Sequence, residues 1–142
     1  MTFPLKLIDI ALETKRKMGF PDFIVGYRLS PEELETPGIT LSDTAILIEA
    51  ISKKPIDYIH LSLGAYNQSS IRDKSNATPV ISLLKKHNLG NIPMIGVGGI
   101  QNLSQAKEAI NLGFDLVAIG LAALSDKDVV SHILNQVPIK KV

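Results

Sequence analysis

The chain has 142 residues, 15 of them basic against 14 acidic, with a formal net charge of +1 and 45% hydrophobic residues. That is apolar material for one compact domain over 1–142 and too little length for two, and so balanced a charge carries no footprint for nucleic acid or an anionic membrane. Without cysteine there is no disulfide framework, thiolate metal site or thiol nucleophile, in keeping with a reducing, cytoplasmic setting.

In chain order, residues 4–17 place Leu5, Ile8 and Leu12 at helical spacing, predicting an amphipathic helix from about Pro4 to a stop at Gly19. Lys6, Asp9, Glu13, Lys15, Arg16 and Lys17 interrupt the stretch, so it reads as neither signal peptide nor membrane span. Residues 23–28 form a β-rich run, closed by the turn Ser30-Pro31-Glu32-Glu33 and by Pro37-Gly38. Thr40-Leu41-Ser42-Asp43 then caps a helix with Leu41, Ala45, Ile48 and Ala50 or Ile51 on its apolar side. Residues 57–64 predict a strand, 78–87 a helix with Pro79 in its first turn, and 92–97 a further strand. A helix over 102–112 buries Ala106, Ala109 and Ile110 and stops at Gly113. Residues 116–121 predict the fourth strand, and a last helix runs from Ser125-Asp126 to about Val137, ended by Pro138.

A leading helix followed by four strand-helix units is an α/β pattern, with strands paired in parallel through right-handed crossovers. Two architectures satisfy it: an open doubly wound sheet, or part of an eight-stranded barrel whose complete form takes roughly 200 residues or more. Both collect ligands at the carboxyl ends of the strands. Attention therefore falls on Arg28, on Ser62 to Gly64, on Gly98-Gly99 and on Gly120.

Ile95-Gly96-Val97-Gly98-Gly99-Ile100 runs a strand into paired glycines ahead of a helix. Glycine lets backbone N–H groups approach a phosphate closely, although the same residues also make an ordinary tight turn. It is not the dinucleotide fingerprint, because Gln101 stands where the third glycine belongs. Val117-Ala118-Ile119-Gly120 repeats a strand ending in glycine one unit later, and two consecutive late barrel loops commonly share one phosphate. Gly120 could equally relieve crowding at a strand end. Arg28 at a strand end suits an anionic ligand edge; its plainer reading is a solvent-exposed charge paired with Glu32 or Glu33.

Tyr58, His60 and Ser62 alternate with Ile59, Leu61 and Leu63, so one face of that strand is polar. His60 reads better as an interior histidine with a hydrogen-bond partner than as a catalyst. His87 and His132 fall on outer helices, away from each other and from acidic pairs, and no metal site is expected. Residues 65–77 are polar and long for a connection, which suits a mobile or substrate-facing loop, or a disordered one.

Together, Phe3-Pro4-Leu5, Gly26-Tyr27-Arg28-Leu29-Ser30-Pro31-Glu32, Asp57-Tyr58-Ile59-His60-Leu61-Ser62 and the two glycine-ending strands resemble, in the same order, the old yellow enzyme family of NADH:flavin oxidoreductases. The resemblance covers nearly the whole chain and implies a parallel (βα)4 half of a TIM barrel, its last four units, preceded by one helix. It further implies FMN as cofactor, NAD(P)H as electron donor and a small unsaturated carbonyl compound as acceptor. Arg28 would contact the flavin ring, Gly98 and Gly99 would hold the phosphate, Gly120 and Leu121 would complete that site, and Ser62 and Gly64 would lie nearby. Leu121 departs from the family, which usually has arginine there; losing that hydrogen bond weakens FMN by about 1.5 to 3 kcal/mol. The substrate-gripping His/Asn-type pair and the tyrosine proton donor belong to the other half of the family barrel, so no catalytic residue is assigned here. The expectation is a half that is inactive alone and either self-associates or complements another half-barrel. The alternative is a non-catalytic phosphate-ligand or self-association module.

Overall fold

The computed structural model describes residues 2–139. Helix α1 (Thr2–Lys17) leads into β1 (Gly26–Leu29), α2 (Leu41–Ile51), β2 (Tyr58–Leu61) and α3 (Val80–Leu84), which tightens into a 3-10 turn at Lys85–His87. Then come β3 (Met94–Val97), α4 (Leu103–Leu112), β4 (Leu116–Ala118), α5 (Leu121–Ser125) and α6 (Val129–Leu134). All three strand pairs are parallel, and the sheet order is β1-β2-β3-β4. A doubly wound sheet reverses direction at a switch point, whereas a barrel adds each strand beside the last. The sequential order is that of a partial barrel.

Burial separates the two faces of this sheet. Leu29, Ile59, Leu61 and Met94 belong to one buried cluster with Ile8 of α1, Ala45, Ile48 and Ile51 of α2, Val80, Ile81 and Leu84 of α3, and Ala109 of α4. The alternate residues, among them Arg28, Tyr58, His60, Ile95, Leu116 and Ala118, are half-buried or exposed. They make the face that a closed barrel would turn inward. Both sheet edges, β1 and β4, lack a further strand among the described residues. No helix among those residues is long and apolar enough to cross a membrane.

Local chemistry explains most element boundaries. Thr40 and Asp43 form a reciprocal capping box at α2. Asn102 accepts from Gln105 N to start α4, and Gly113 stops it at a φ of 125°. Pro79 sits one residue earlier than expected, at the cap position of α3. The first strand begins at Gly26 instead of residue 23, and Val25 N is held by Asp57 Oδ2 at 2.7 Å just before it.

The carboxyl-terminal expectation needs correction. There is no single helix from Ser125: the chain turns at Gly120, so Leu121 opens α5 rather than ending a strand, and Ser125 closes α5. Asp126 then takes an extended conformation, and its buried carboxylate accepts from Asp128 N at 3.1 Å and meets His132 Nδ1 at 2.6 Å. That side chain turns the backbone into α6, which ends at Leu134 rather than near Val137.

Gly96 is closely packed in the outer core, because an added Cβ would lie 2.6 Å from the buried Phe114 ring. Overpacking of this kind costs about 1 to 3 kcal/mol. Gly96→Ala should lower the urea-denaturation midpoint accordingly; an unchanged midpoint would mean that Phe114 has room to move.

Candidate functional site

At the carboxyl ends of the strands, a cleft of about 580 Å³ is lined by Arg28, Leu63, Gly64, Val97, Gly98, Gly99, Ile100, Gln101, Ala118, Gly120, Leu121, Ala122 and Leu124. Six of the seven residues singled out from the sequence line it. The seventh, Ser62, joins through its hydroxyl, which accepts from Arg28 Nη2 at 2.7 Å. This corrects the plainer reading of Arg28. Glu32 and Glu33 do not pair with it; Glu33 instead accepts from Ile39 N, and Glu32 is engaged elsewhere. The exposed guanidinium therefore keeps donors for a ligand while one bond to Ser62 fixes its direction.

The glycines have different reasons to be there. At Gly98 a Cβ would come within 2.7 Å of Ala65 Cα and N, so this glycine is demanded by the close approach of two loops. Gly98 O also accepts from Tyr66 N at 3.0 Å. Gly99, at a φ of 67°, and Gly120 have open space where a side chain would stand. Their N–H groups donate to no backbone carbonyl or side chain among the described residues. A concave backbone surface with free donors is the arrangement that an anionic or hydroxylated ligand can use.

The loops that follow β1 and β2 are tied to each other, and here the sequence reading missed the organising residues. Ser70 is buried and its Oγ lies 3.0 Å from both oxygens of Glu32, while Ile71 N donates to Glu32 Oε2 at 2.7 Å. Arg72 donates to the carbonyls of Glu33 and Glu35. Residues 65–77 are therefore tied to the loop after β1 rather than disordered. Gln68 Oε1 accepts from Gly64 N at 3.1 Å, and Tyr66 donates to Glu108 Oε2 at 2.7 Å. The one local signal for this was Gln68, four residues beyond Gly64.

His60 lies directly across from Arg28 in the β1-β2 register. Its Nε2 is buried with no hydrogen-bond partner among the described residues, contrary to the expected satisfied interior histidine. Burial first, and then the Arg28 charge, hold its pKa below the ordinary imidazole value. Among the described residues that line the cleft, Arg28 is the one that carries a charge. His87 pairs with Glu49 at 2.6 Å. His132, contrary to the sequence reading, does lie with an acidic pair: one ligand atom each from Asp126, Asp128 and His132 fall within 4.8 Å of one another. The Asp126 carboxylate serves there as the turn between α5 and α6.

A larger cleft, about 710 Å³, opens at the opposite end between α1 and β1, lined by Met18, Phe20, Phe23, Ile24 and Tyr58 among others. Its walls are almost wholly apolar and Lys15 is the only charged residue in them, so it offers cover to a surface rather than chemistry to a ligand. The smaller cleft stands where barrel ligands bind.

The sequence profile of one family, described as the NADH:flavin oxidoreductase / NADH oxidase family, matches residues 1–140. The chain is 40% identical over 129 residues to an NADH:fumarate oxidoreductase of Klebsiella pneumoniae (strain 342), covering 89% of this chain and 14% of that protein. It is 34% identical over 137 residues to an NADH:acrylate oxidoreductase of Vibrio harveyi, covering 94% of this chain and 14% of that protein. A Bacillus subtilis (strain 168) protein named "Probable NADH-dependent flavin oxidoreductase YqiG" is 36% identical over 126 residues, 89% of this chain and 34% of its own length. The chain thus spans between a seventh and a third of these relatives. Since the match runs through the arginine strand and both glycine strand ends, this partial barrel belongs to the NADH:flavin oxidoreductase / NADH oxidase family.

Proposed function

We propose that this chain is the carboxyl-terminal, FMN-binding half of an NAD(P)H-dependent flavin oxidoreductase barrel of the ene-reductase type. The observation that carries this reading is the convergence of Arg28, Gly64, Gly98, Gly99, Gly120 and Leu121 on one cleft, with Ser62 fixing the arginine. The residues fit a flavin: a constrained cation on β1 suits the electron-rich pyrimidine edge, and the open backbone at Gly99 and Gly120 suits the far end of the ribityl chain. Across the sheet those points are two and three strand spacings from Arg28, about 10 to 14 Å. That span suits a molecule with a ring at one end and a phosphate at the other.

A bound flavin supplies hydride-transfer chemistry. Arg28 would orient the ring and stabilise negative charge on it, and arginine keeps its own charge while doing so. Neutral His60 beside it adds no second charge. Glu32, Ser70 and Arg72 tie the loops after β1 and β2 to each other, which steadies the strand ends that carry Arg28 and Gly64 before a ligand arrives.

The relatives support the donor side most directly. NADH recurs in all three names, whereas fumarate and acrylate differ as acceptors. Both acceptors are small α,β-unsaturated acids, in keeping with a small unsaturated carbonyl compound as substrate. A second reading, a self-associating half-barrel, is favoured by the exposed Met18, Phe20, Phe23 and Ile24 around the apolar cleft beside the open β1 edge. The two readings are compatible if two copies, or this chain and a complementing half, close one barrel.

Titration followed by flavin fluorescence quenching should show saturable but weak FMN binding, and Arg28→Ala should weaken it about ten-fold or more. Absence of saturation up to about millimolar FMN would sink the flavin reading. Sedimentation at micromolar concentrations should show a homodimer or larger assembly; a strict monomer would speak against self-association. The chain alone, with FMN and NADH, should not reduce an enone faster than free FMN, because positioning and proton donation each contribute orders of magnitude. Addition of an amino-terminal half from a relative should restore turnover.

A further inference from the structure

Resting on the flavin reading, we infer that the phosphate end of this cleft is uncharged and apolar-walled, so that the chain recognises a flavin through its ring and does not select the phosphorylated form. Leu121 and Leu124 stand one helical turn apart on α5, and both line the cleft beside Gly99 and Gly120. Leu121 is 75% exposed and Leu124 is 83% exposed, so neither is held there by the core. Ile100 adds a third apolar wall.

A phosphate dianion brought among these side chains loses hydration that apolar groups do not replace. The free N–H groups of Gly99 and Gly120 can donate to a phosphate oxygen or to a terminal hydroxyl, and the hydroxyl reaches them with much less loss of hydration. The compensating charge is in the wrong place. Among the described residues that line the cleft Arg28 is the one cation, and it lies about 10 to 14 Å across the sheet from these glycines. It is also directed by Ser62. Bonds from these N–H groups to a phosphate are charge-assisted, but no cation beside them offsets the hydration that the dianion loses among apolar side chains. Riboflavin and FMN share the ring that Arg28 faces and differ in the group that meets Leu121.

The test is a paired titration of the full chain with FMN and riboflavin. Dissociation constants within about three-fold of each other are expected, since the phosphate's bonds to backbone N–H groups are offset by the hydration it loses. Leu121→Arg, at a surface position whose replacement leaves the core intact, should raise the preference for FMN about ten-fold or more. Leu124→Arg should shift it in the same direction, and Leu134→Arg, an equal charge on exposed α6 outside the cleft, should leave the ratio as it was. A parent chain that already prefers FMN by about ten-fold or more overturns the inference while leaving the flavin reading standing. So does a ratio that Leu121→Arg and Leu124→Arg fail to move. Failure of the parent and all variants to bind either flavin overturns both.

Discussion

The ligand end depends on the register of four parallel strands, which is set by what their outer face buries. Ile59 and Leu61 of β2 and Met94 of β3 are fully enclosed by helices, and a slip of one residue would exchange them with Tyr58, His60 and Ile95. Burying such side chains contributes about 1.5 to 3 kcal/mol each. The wrong register would therefore forfeit far more than any ligand-facing residue could return. Arg28, His60 and the glycine ends inherit their positions from residues that never meet the cleft.

That division explains what was legible in the sequence. The alternation from Tyr58 to Leu63, the Thr40 and Asp43 cap and the Gly113 stop are local signals, and each stands where the pattern put it. The convergence of the site residues was legible as well, since parallel strands in an α/β pattern bring their carboxyl ends together. Contacts that side chains make outside the regular elements were not legible. Nothing near Asp126 announces that its carboxylate will turn the chain between two short helices, with His132 six residues on as its partner. Likewise Glu32 and Ser70 are 38 residues apart, and the bond between them ties down a polar stretch that composition alone leaves undetermined.

The glycines show why a motif needs its surroundings. Gly98 and Gly99 are adjacent and both have positive φ, yet one is pressed against Ala65 and the other opens onto the cleft. An alanine at Gly98 would push two loops apart, whereas one at Gly99 would meet strain but no neighbour. The first glycine builds the cleft, and the second is available to what enters it.

The two sheet faces are unequally completed, and this links folding to binding. On the outer face the buried strand residues are covered by helices and by Phe114; on the inner face Leu116 is 54% exposed and His60 Nε2 is enclosed with no partner among the described residues. An unpaired buried polar atom costs about 1 to 3 kcal/mol, and exposed leucine forgoes its hydrophobic gain. Any chain or ligand that covers this face binds the folded state and finds no equivalent surface on the unfolded one. It must then stabilise the fold in proportion to how far its concentration exceeds its dissociation constant. The partial barrel's stability and the covering of its inner face are for that reason one equilibrium.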